Sequence, residues 1–210
     1  MFIDGPYIDR NYRQFFPVPE LFDRKFVQQA SYDLRIGDEV FLSEGRVPTR
    51  LTTESPFLIL PPGQFALIKT YEQISVPNEF VALISIRSTF KFQGLVNISG
   101  FHVDPTYSGH LIYAVQNVGP NDIRLKYMEP TFMIMWARLQ SPYEGKKERK
   151  KGYDRIPMEL MAQLGGPSVT LVSLEKRVAE MSVSMKIYGG FAIAAFLAVL
   201  ALVLRIIFKA

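Results

Sequence analysis

Side chains able to contact a ligand are concentrated in residues 87–117. The stretch opens with a cation beside two hydroxyl groups, at Arg87, Ser88 and Thr89. Strand-like apolar runs follow, on both sides of a turn formed by residues 104–109 (DPTYSG). A cation, hydroxyl groups and a carboxylate on short connections can hold a polar ligand, and the remaining chain must position them.

The turn and the histidines beside it each allow two interpretations. His102 and His110 flank the turn and are placed to contact a ligand, whereas single histidines without a carboxylate partner in sequence are also typical of hydrogen-bonded structural residues. Asp104 precedes a proline, so it either serves the ligand or caps the turn.

A basic loop supplies the second group of candidate ligand contacts. Residues 146–155 carry six cations and two anions, a surplus equal to the net charge of +4 of the whole chain. The candidate cations are Lys146, Lys147, Arg149, Lys150 and Lys151. Tyr143 and Tyr153 offer rings on which bases can stack, as in proteins that bind single strands. The alternatives are a solvated connector or a contact with anionic lipid headgroups.

The composition excludes several kinds of site. The chain has no cysteine, which rules out disulfides and thiolate metal sites, and its two histidines make a histidine-rich metal centre untenable. The first residues lack the basic start and continuous apolar core of a signal peptide. We therefore expect the bulk of the protein to stay in the cytoplasm.

Short apolar runs separated by turn residues predict a mainly β domain. They lie at residues 40–42, 57–60, 65–68, 80–86 and 132–139, and prolines and glycines punctuate them. Their spacing suits a jelly roll or a distorted barrel. Residues 1–30, rich in aromatics and prolines, predict a wrapping arm with a short helix, and Trp136 is predicted to be a core residue. Residues 158–164 predict one short helix.

A heptad-like seam appears near the carboxyl end. Apolar residues alternate at spacings of three and four: Leu171, Leu174, Val178, Met181, Met185 and Tyr188. Because so short a helix is marginal alone, the seam predicts a parallel, oligomeric coiled-coil stalk. The alternative is an amphipathic helix that lies on the β domain.

The seam runs directly into an uncharged apolar segment, residues 187–204. Eighteen residues at a rise of about 1.5 Å span about 27 Å, close to the thickness of a hydrocarbon core. We expect a tail-anchored transmembrane helix with the folded domain in the cytoplasm, at the inner membrane. Gly189 and Gly190 are either a flexible joint or a tolerated break in the helix.

Three segments together resemble the dCTP deaminase and dUTPase superfamily, over about residues 25–155. They are residues 30–37 (ASYDLRIG), Arg87-Ser88-Thr89 seven positions before Gly94, and residues 103–109 (VDPTYSG). Asn117 ends the next strand as it does in the deaminase branch. The resemblance implies a distorted β-barrel of dUTPase type that assembles as a homotrimer, or a multiple of it, with ligand sites between subunits.

The resemblance also implies roles for single residues. Asp33 corresponds to an aspartate that orients a magnesium-bound water, so Mg²⁺ is expected if a nucleoside triphosphate binds. Arg87, Ser88 and Thr89 correspond to the phosphate-binding motif, and the turn that contains Tyr107 closes over the sugar and base. The expected ligand contacts in this region are Arg87, Ser88, Thr89, Asn97, His102, Asp104 and Tyr107.

The sequence departs from the deaminase pattern at the two catalytic positions. Where deaminases carry a proton-shuttling glutamate, three residues before the asparagine, this chain has Ala114. Where they carry an arginine, two residues before the motif glycine, it has Phe92. Neither side chain transfers a proton, and losing such a group costs about 10²- to 10⁴-fold in rate. No catalytic residue for deamination is expected.

These observations favour a ligand-gated membrane protein that binds a deoxynucleotide or a short single-stranded DNA. Its arrangement resembles tail-anchored effectors of bacterial antiphage defence, which implies a channel-forming or membrane-disrupting segment and a signal-producing nucleotidyltransferase as partner. One alternative is a membrane-anchored dUTP diphosphatase with Asp104 as its base, although the glycine-rich carboxy-terminal motif of dUTPases is absent. The other is a trimeric scaffold that binds a protein through its aromatic arm.

The predicted organisation has five parts. Residues 1–30 form the arm, residues 31–155 the deaminase-like domain with its basic loop, and residues 156–167 a linker. Residues 168–188 form the stalk, and residues 189–210 the transmembrane anchor.

Overall fold

A computed structural model describes residues 1–45, 47–145, 152–164 and 171–207. The chain divides into two compact units, Met1–Ser168 and Val169–Ala210. The finer boundaries predicted from the sequence stay predictions.

The first unit is mainly β, as predicted. Its described strands are β1 (Tyr32–Leu42), β2 (Thr49–Arg50), β3 (Phe57–Leu60), β4 (Phe65–Ser75), β5 (Phe80–Ile86), β6 (Leu95–Asn97), β7 (His102–Val103), β8 (Ser108–Asn117), β9 (Ile123–Lys126) and β10 (Pro130–Arg138). Its helices are α1 (Gly5–Arg10), α2 (Tyr12–Phe15), α3 (Ser88–Lys91) and α4 (Met158–Leu164), with 3₁₀ turns at Pro19–Leu21 and Arg24–Phe26.

The strands pair into one curled antiparallel sheet and one short ribbon. The order in the sheet is β6-β8-β4-β1-β10-β5-β7, with β2 paired to β1, and β3 and β9 form the ribbon. Strands β6 and β7 therefore occupy the two ends of this path. The sheet curls into a half-barrel, which agrees in part with the jelly roll or distorted barrel that the strand spacing suggested.

Alternating side chains set the two faces of the sheet. In β8 the side chains of Leu111, Tyr113 and Val115 are buried in the core, while those of Ile112 and Ala114 lie on the opposite face. The Tyr113 ring stacks on Phe132 with centroids 3.9 Å apart. The two faces of β8 thus belong to different parts of the molecule.

The amino-terminal arm completes the core. Phe15 and Phe16 are fully buried, with ring centroids 4.8 and 5.9 Å from the Trp136 ring. The backbone amide of Ile3 donates to the Trp136 carbonyl at 3.0 Å, which fixes the arm to β10. Trp136 is a core residue, as predicted, and these aromatic side chains are not available to a protein partner.

The second unit contains one long helix, α5 (Leu171–Ile207). It begins within the predicted stalk and continues through Gly189 and Gly190 without a break. Its segment Arg177–Arg205, with a mean hydropathy of 2.5, is long and apolar enough to cross a membrane by length and composition. The coiled coil and the membrane anchor stay predictions.

Candidate ligand-binding site

Asp33 and Arg87, predicted as parts of separate motifs, form an ion pair. Strand β1 carries Asp33, and Arg87 follows the last residue of β5. The Arg87 Nε lies 3.3 Å from Asp33 Oδ2, and the Gln28 amide donates to the same oxygen at 3.1 Å. Arg87 also donates from Nη1 to the Pro130 carbonyl at 3.0 Å. The arginine therefore has two partners inside its own chain.

The environment of Asp33 restricts the metal role implied by the resemblance. Burial raises the pKa of this carboxyl, and Arg87 and Gln28 oppose the rise. Both contacts use Oδ2, so a magnesium-bound water would have to use Oδ1. In the parts of the chain that the structure describes, no three histidine or acidic side chains are grouped to hold a metal ion. The metal role of Asp33 stays a prediction.

Ser88 and Thr89 are exposed in the first turn of α3, directly after Arg87. Their hydroxyl groups are accessible beside a guanidinium whose side chain is 37% exposed. This cluster of Arg87, Ser88 and Thr89 is the first half-site. It can offer hydroxyl donors and part of one cation to an anion.

The turn at residues 104–109 forms a second half-site. Thr106 has a left-handed backbone (φ 70°) and donates its amide to the Val76 carbonyl at 2.7 Å, which fixes the turn to the end of β4. The Tyr107 hydroxyl donates to the His110 carbonyl, and the ring is partly buried. His102 Nε2 lies 3.4 Å from Asp104 Oδ1, and both side chains are about half exposed. His102 therefore does have a carboxylate neighbour, Asp104, two residues further along the chain.

The register of β5 and β7 separates Asp104 from Arg87 within one chain. Ala82 pairs with Val103, so Asp104 lies at the level of Val81, six positions before Arg87. At about 3.3 Å per residue the separation along the strand is about 20 Å. Asn97 lies on β6, where its side chain contacts Ser99 and Gly100.

The two positions predicted to lack catalytic groups differ in their surroundings. Ala114 lies on the outer face of β8 and packs against a cluster formed by Phe41, Leu67 and Ile156. Phe92 is 90% exposed just after α3. Ala114 is therefore an apolar residue in apolar surroundings. The Phe92 ring, in contrast, is left uncovered by the part of the chain that the structure describes.

His110 contributes a hydrogen-bond network that its sequence position did not reveal. Its Nδ1 lies 2.9 Å from the Thr70 carbonyl, which only accepts, so Nδ1 carries the proton. Its Nε2 lies 3.4 Å from the Gln73 amide nitrogen, which can donate to it. This arrangement suits a neutral ring, and burial and then Lys69 lower the pKa of His110.

Further functional candidates are buried polar residues that sequence reasoning missed or named only in passing. Arg35 donates from Nε to the fully buried Glu72 at 2.6 Å, and burial raises the pKa of the Glu72 carboxyl while Arg35 opposes the rise. Lys69 Nζ contacts Asp38 at 2.9 Å. The sequence does carry a signal for these contacts: the polar run Lys69-Thr70-Tyr71-Glu72 directly follows the apolar run 65–68, and polar residues inside a strand need hydrogen-bond partners.

The structure describes the predicted residue Asn117 but not the predicted cations of the basic loop. Asn117 is fully buried, and its amide donates to the carbonyls of Leu60 and Asn121 at 2.8 Å each, so its contacts are structural. The predicted cations Lys146, Lys147, Arg149, Lys150 and Lys151 lie outside the described residues.

Comparison with known proteins matches most of the first unit to one protein family. Residues 4–132 match the model of the dCTP deaminase-like family. The dCTP deaminase of Pyrococcus horikoshii is 31% identical over 123 residues, which are 59% of this chain and 76% of that protein. The dCTP deaminase of Thermococcus kodakarensis is 30% identical over 136 residues, 63% of this chain and 85% of that protein.

A solved structure supports the fold. The 2′-deoxycytidine 5′-triphosphate deaminase of Agrobacterium tumefaciens matches with a TM-score of 0.55 at 14% identity. The match covers 64% of this chain and 48% of that one, so this chain spans about half the length of that deaminase. At this identity the likeness concerns the fold alone.

Proposed function

The chain belongs to the dCTP deaminase-like family, and on that premise we propose that it binds a deoxynucleotide or a short single-stranded DNA without converting it. Binding controls an oligomeric membrane segment. The observation that carries this proposal is the pair Ala114 and Phe92, at the positions where the resemblance expects the catalytic glutamate and arginine. Deamination needs a group that moves protons between water, the ring nitrogen and the leaving amine.

The surroundings of Ala114 support a site that has lost this chemistry. A carboxylate at this position would face the apolar cluster of Phe41, Leu67 and Ile156, where its charged form is disfavoured. The exposed hydroxyl groups of Ser88 and Thr89 remain beside Arg87. Phosphate contacts are thus retained where proton transfer is not.

The separation of Asp104 from Arg87 supports an oligomer. Within one chain they lie about 20 Å apart along β5, so a nucleotide that contacts both would draw on a second copy. A homotrimer with sites between subunits would supply that second copy. Trimers would also bring copies of the α5 seam together.

The membrane role rests on α5. With Arg177–Arg205 spanning the inner membrane, the family domain lies in the cytoplasm and the helix anchors the protein by its tail. Ligand binding to the domain then controls a channel-forming or membrane-disrupting segment. We propose that this control serves antiphage defence, with a nucleotidyltransferase as the source of the ligand.

The test uses full-length protein in lipid nanodiscs. Calorimetry with dCTP, dUTP and a six-residue deoxythymidine oligomer should show binding that weakens steeply as salt rises. Chromatography of the same mixtures should show unchanged nucleotide. Thr89→Val should weaken this binding. The matched control, Thr53→Val, changes an exposed threonine on another loop and should not. Steady ammonia release from dCTP, or no binding of any probe, contradicts the proposal.

A second candidate, a membrane-anchored dUTP diphosphatase, is favoured by one observation. Asp104 is about half exposed beside His102, where a carboxylate could activate water at a phosphate. This candidate expects diphosphate release from dUTP with Mg²⁺, abolished by Asp104→Asn and retained in Asp122→Asn, an exposed acid outside the turn. Absence of release in the wild-type protein removes this candidate.

A further inference from the structure

We propose that residues 152–164, here named the strap, dock reversibly on the turn at residues 104–109. The docked strap holds the turn, and a ligand that engages the turn releases the strap. This regulation rests on the proposed function, because it concerns the same ligand site. The sequence predicted the end of the basic loop with Tyr153, a linker from residue 156 and a short helix at residues 158–164.

The strap begins as an added strand on the edge of β8. Gly152 donates its amide to the Ser108 carbonyl at 2.6 Å, and Tyr153 forms an antiparallel bridge with His110. Strand β4 pairs with these residues of β8 on the other side. The backbone of the second half-site therefore lies between β4 and the strap.

Two glycines make this contact possible. A Cβ on Gly152 would lie 2.5 Å from the Gly109 Cα and 2.8 Å from the Tyr107 hydroxyl oxygen. Gly109 has a φ of +145°, which side chains of L-residues rarely adopt. Tyr107, the residue expected under the sugar, is thus in close contact with the strap, and a ligand that moves Tyr107 must disturb Gly152.

The middle of the strap is anchored by polar contacts to β1 and β4. Lys69 donates from Nζ to the Asp154 carbonyl at 3.2 Å, and its side chain is only 10% exposed. The Ile156 amide donates to Glu39 Oε2 at 2.9 Å. These bonds orient the strap so that its apolar residues meet the sheet.

The end of the strap is held by apolar packing. Ile156 is 3% exposed and packs with Phe41 and Leu67 on the outer face of the sheet. Three residues of α4 pack against the same cluster: Leu160, Met161 and Leu164. Ile156 is thus the fully packed residue of this contact, and the three residues of α4 are only partly buried against it, which is the kind of limited apolar packing that opens locally.

The strap is followed closely in sequence by α5. Six residues, 165–170, separate the end of α4 from the start of α5, and they lie outside the described residues. Release of the strap from the turn is therefore a change within the first unit.

The first test needs no ligand. Hydrogen exchange of the full chain in nanodiscs is compared between Ile156→Ala and Met158→Ala, which truncates a side chain that is 77% exposed on the same segment. Coupling predicts at least tenfold faster exchange of the amides of residues 104–111 in Ile156→Ala only. The milder Leu160→Ala, at a half-buried position of α4, should give a smaller increase of the same kind. Unchanged exchange in both strap variants overturns the proposal.

The second test follows release by ligand. Because the chain has no cysteine, Met161→Cys gives a single thiol inside the apolar contact, and Met158→Cys gives an exposed reference. Calorimetry first identifies a probe that binds, from dCTP, dUTP and the deoxythymidine oligomer. That probe should raise the labelling rate of Met161→Cys at least fivefold and leave Met158→Cys unchanged.

The outcomes separate this inference from the proposed function. Binding with unchanged labelling of Met161→Cys overturns the release step while the proposed binding function stands. If none of the probes binds, the proposed function fails, and faster exchange in Ile156→Ala still supports the link between strap and turn.

Discussion

At the scale of residues, Arg87 has a structural contact and a proposed ligand-binding role. Its guanidinium pairs with Asp33, whose side chain is only 6% exposed, and remains 37% exposed beside Ser88 and Thr89. The proposed function therefore asks the same guanidinium to support the fold and to meet an anion. Loss of ligand binding in an Arg87 variant is therefore interpretable only beside a measurement of stability.

We expect Arg87→Ala to lower the free energy of unfolding by about 1–2 kcal/mol, because the buried Asp33 carboxylate keeps the hydrogen bond from Gln28 but loses its ion pair. Chemical denaturation of Arg87→Ala, Asp33→Asn and the double variant measures the coupling. The double variant should lose less stability than the sum of the single variants. Additivity within about 0.5 kcal/mol would show that the pair does not interact.

His110 predicts a pH dependence of stability. Its pKa in the folded protein lies below the unfolded value of about 6.5, so the unfolded chain binds more protons between these two values. The free energy of unfolding should therefore fall as the pH drops through 6.5 towards the lowered pKa. Denaturation at pH 7.5 and pH 5 should show a smaller loss in His110→Gln than in the wild type. An identical loss in both proteins would assign the effect to other groups.

At the scale of elements, β8 organises the domain because each face and each edge has a different partner. Its inner face joins the core through Leu111 and Tyr113, and its outer face carries Ala114. One edge pairs with β4, and the other is shared between β6 and the strap. Changes in the strap therefore reach the candidate site through a single strand.

We expect Gly152→Ala to destabilise the protein by about 1–3 kcal/mol, because the new Cβ would lie 2.5 Å from the Gly109 Cα and 2.7 Å from the Ser108 carbonyl oxygen. Gly100→Ala is the control, since a Cβ added at Gly100 would meet no described atom within 4 Å beyond its chain neighbours. Thermal and chemical denaturation of both variants tests this. Equal stabilities would mean that the strap is not packed against β8 in solution.

At the scale of the whole molecule, the candidate site and the helix are consistent with the proposed oligomer in a membrane. Asp104 and Arg87 lie about 20 Å apart along β5, and α5 contains the segment Arg177–Arg205, which is long and apolar enough to cross a membrane. We therefore propose that further copies of the chain and a bilayer complete these two features.

Arginines within the apolar segment should release the protein from membranes. Ala195→Arg combined with Val199→Arg costs about 2.5–3.5 kcal/mol per charge at the centre of a membrane helix. Extraction of membranes with alkaline carbonate should leave the wild type in the pellet and move this variant to the supernatant. The matched control, Ser182→Arg with Ser184→Arg, places the same charges before the uncharged residues 187–204 of α5 and should stay in the pellet. Extraction of the wild type would contradict membrane insertion.

The sequence by itself determined the features that depend on neighbouring residues. Short apolar runs predicted a mainly β domain, the resemblance of three short motifs indicated the family, and the composition of residues 187–204 predicted an apolar helix. Each of these is local, because strand alternation, turn chemistry and helix hydropathy depend on short windows of sequence.

Only the tertiary structure decided which distant residues meet. It paired Arg87 with Asp33, placed Asp104 beside His102 but about 20 Å from Arg87, and returned Gly152 to the edge of β8. These contacts depend on strand order, register and the curvature of the sheet, which residue periodicity does not encode. The candidate site could therefore be named from the sequence, whereas its division into two halves and its link to the strap required the fold.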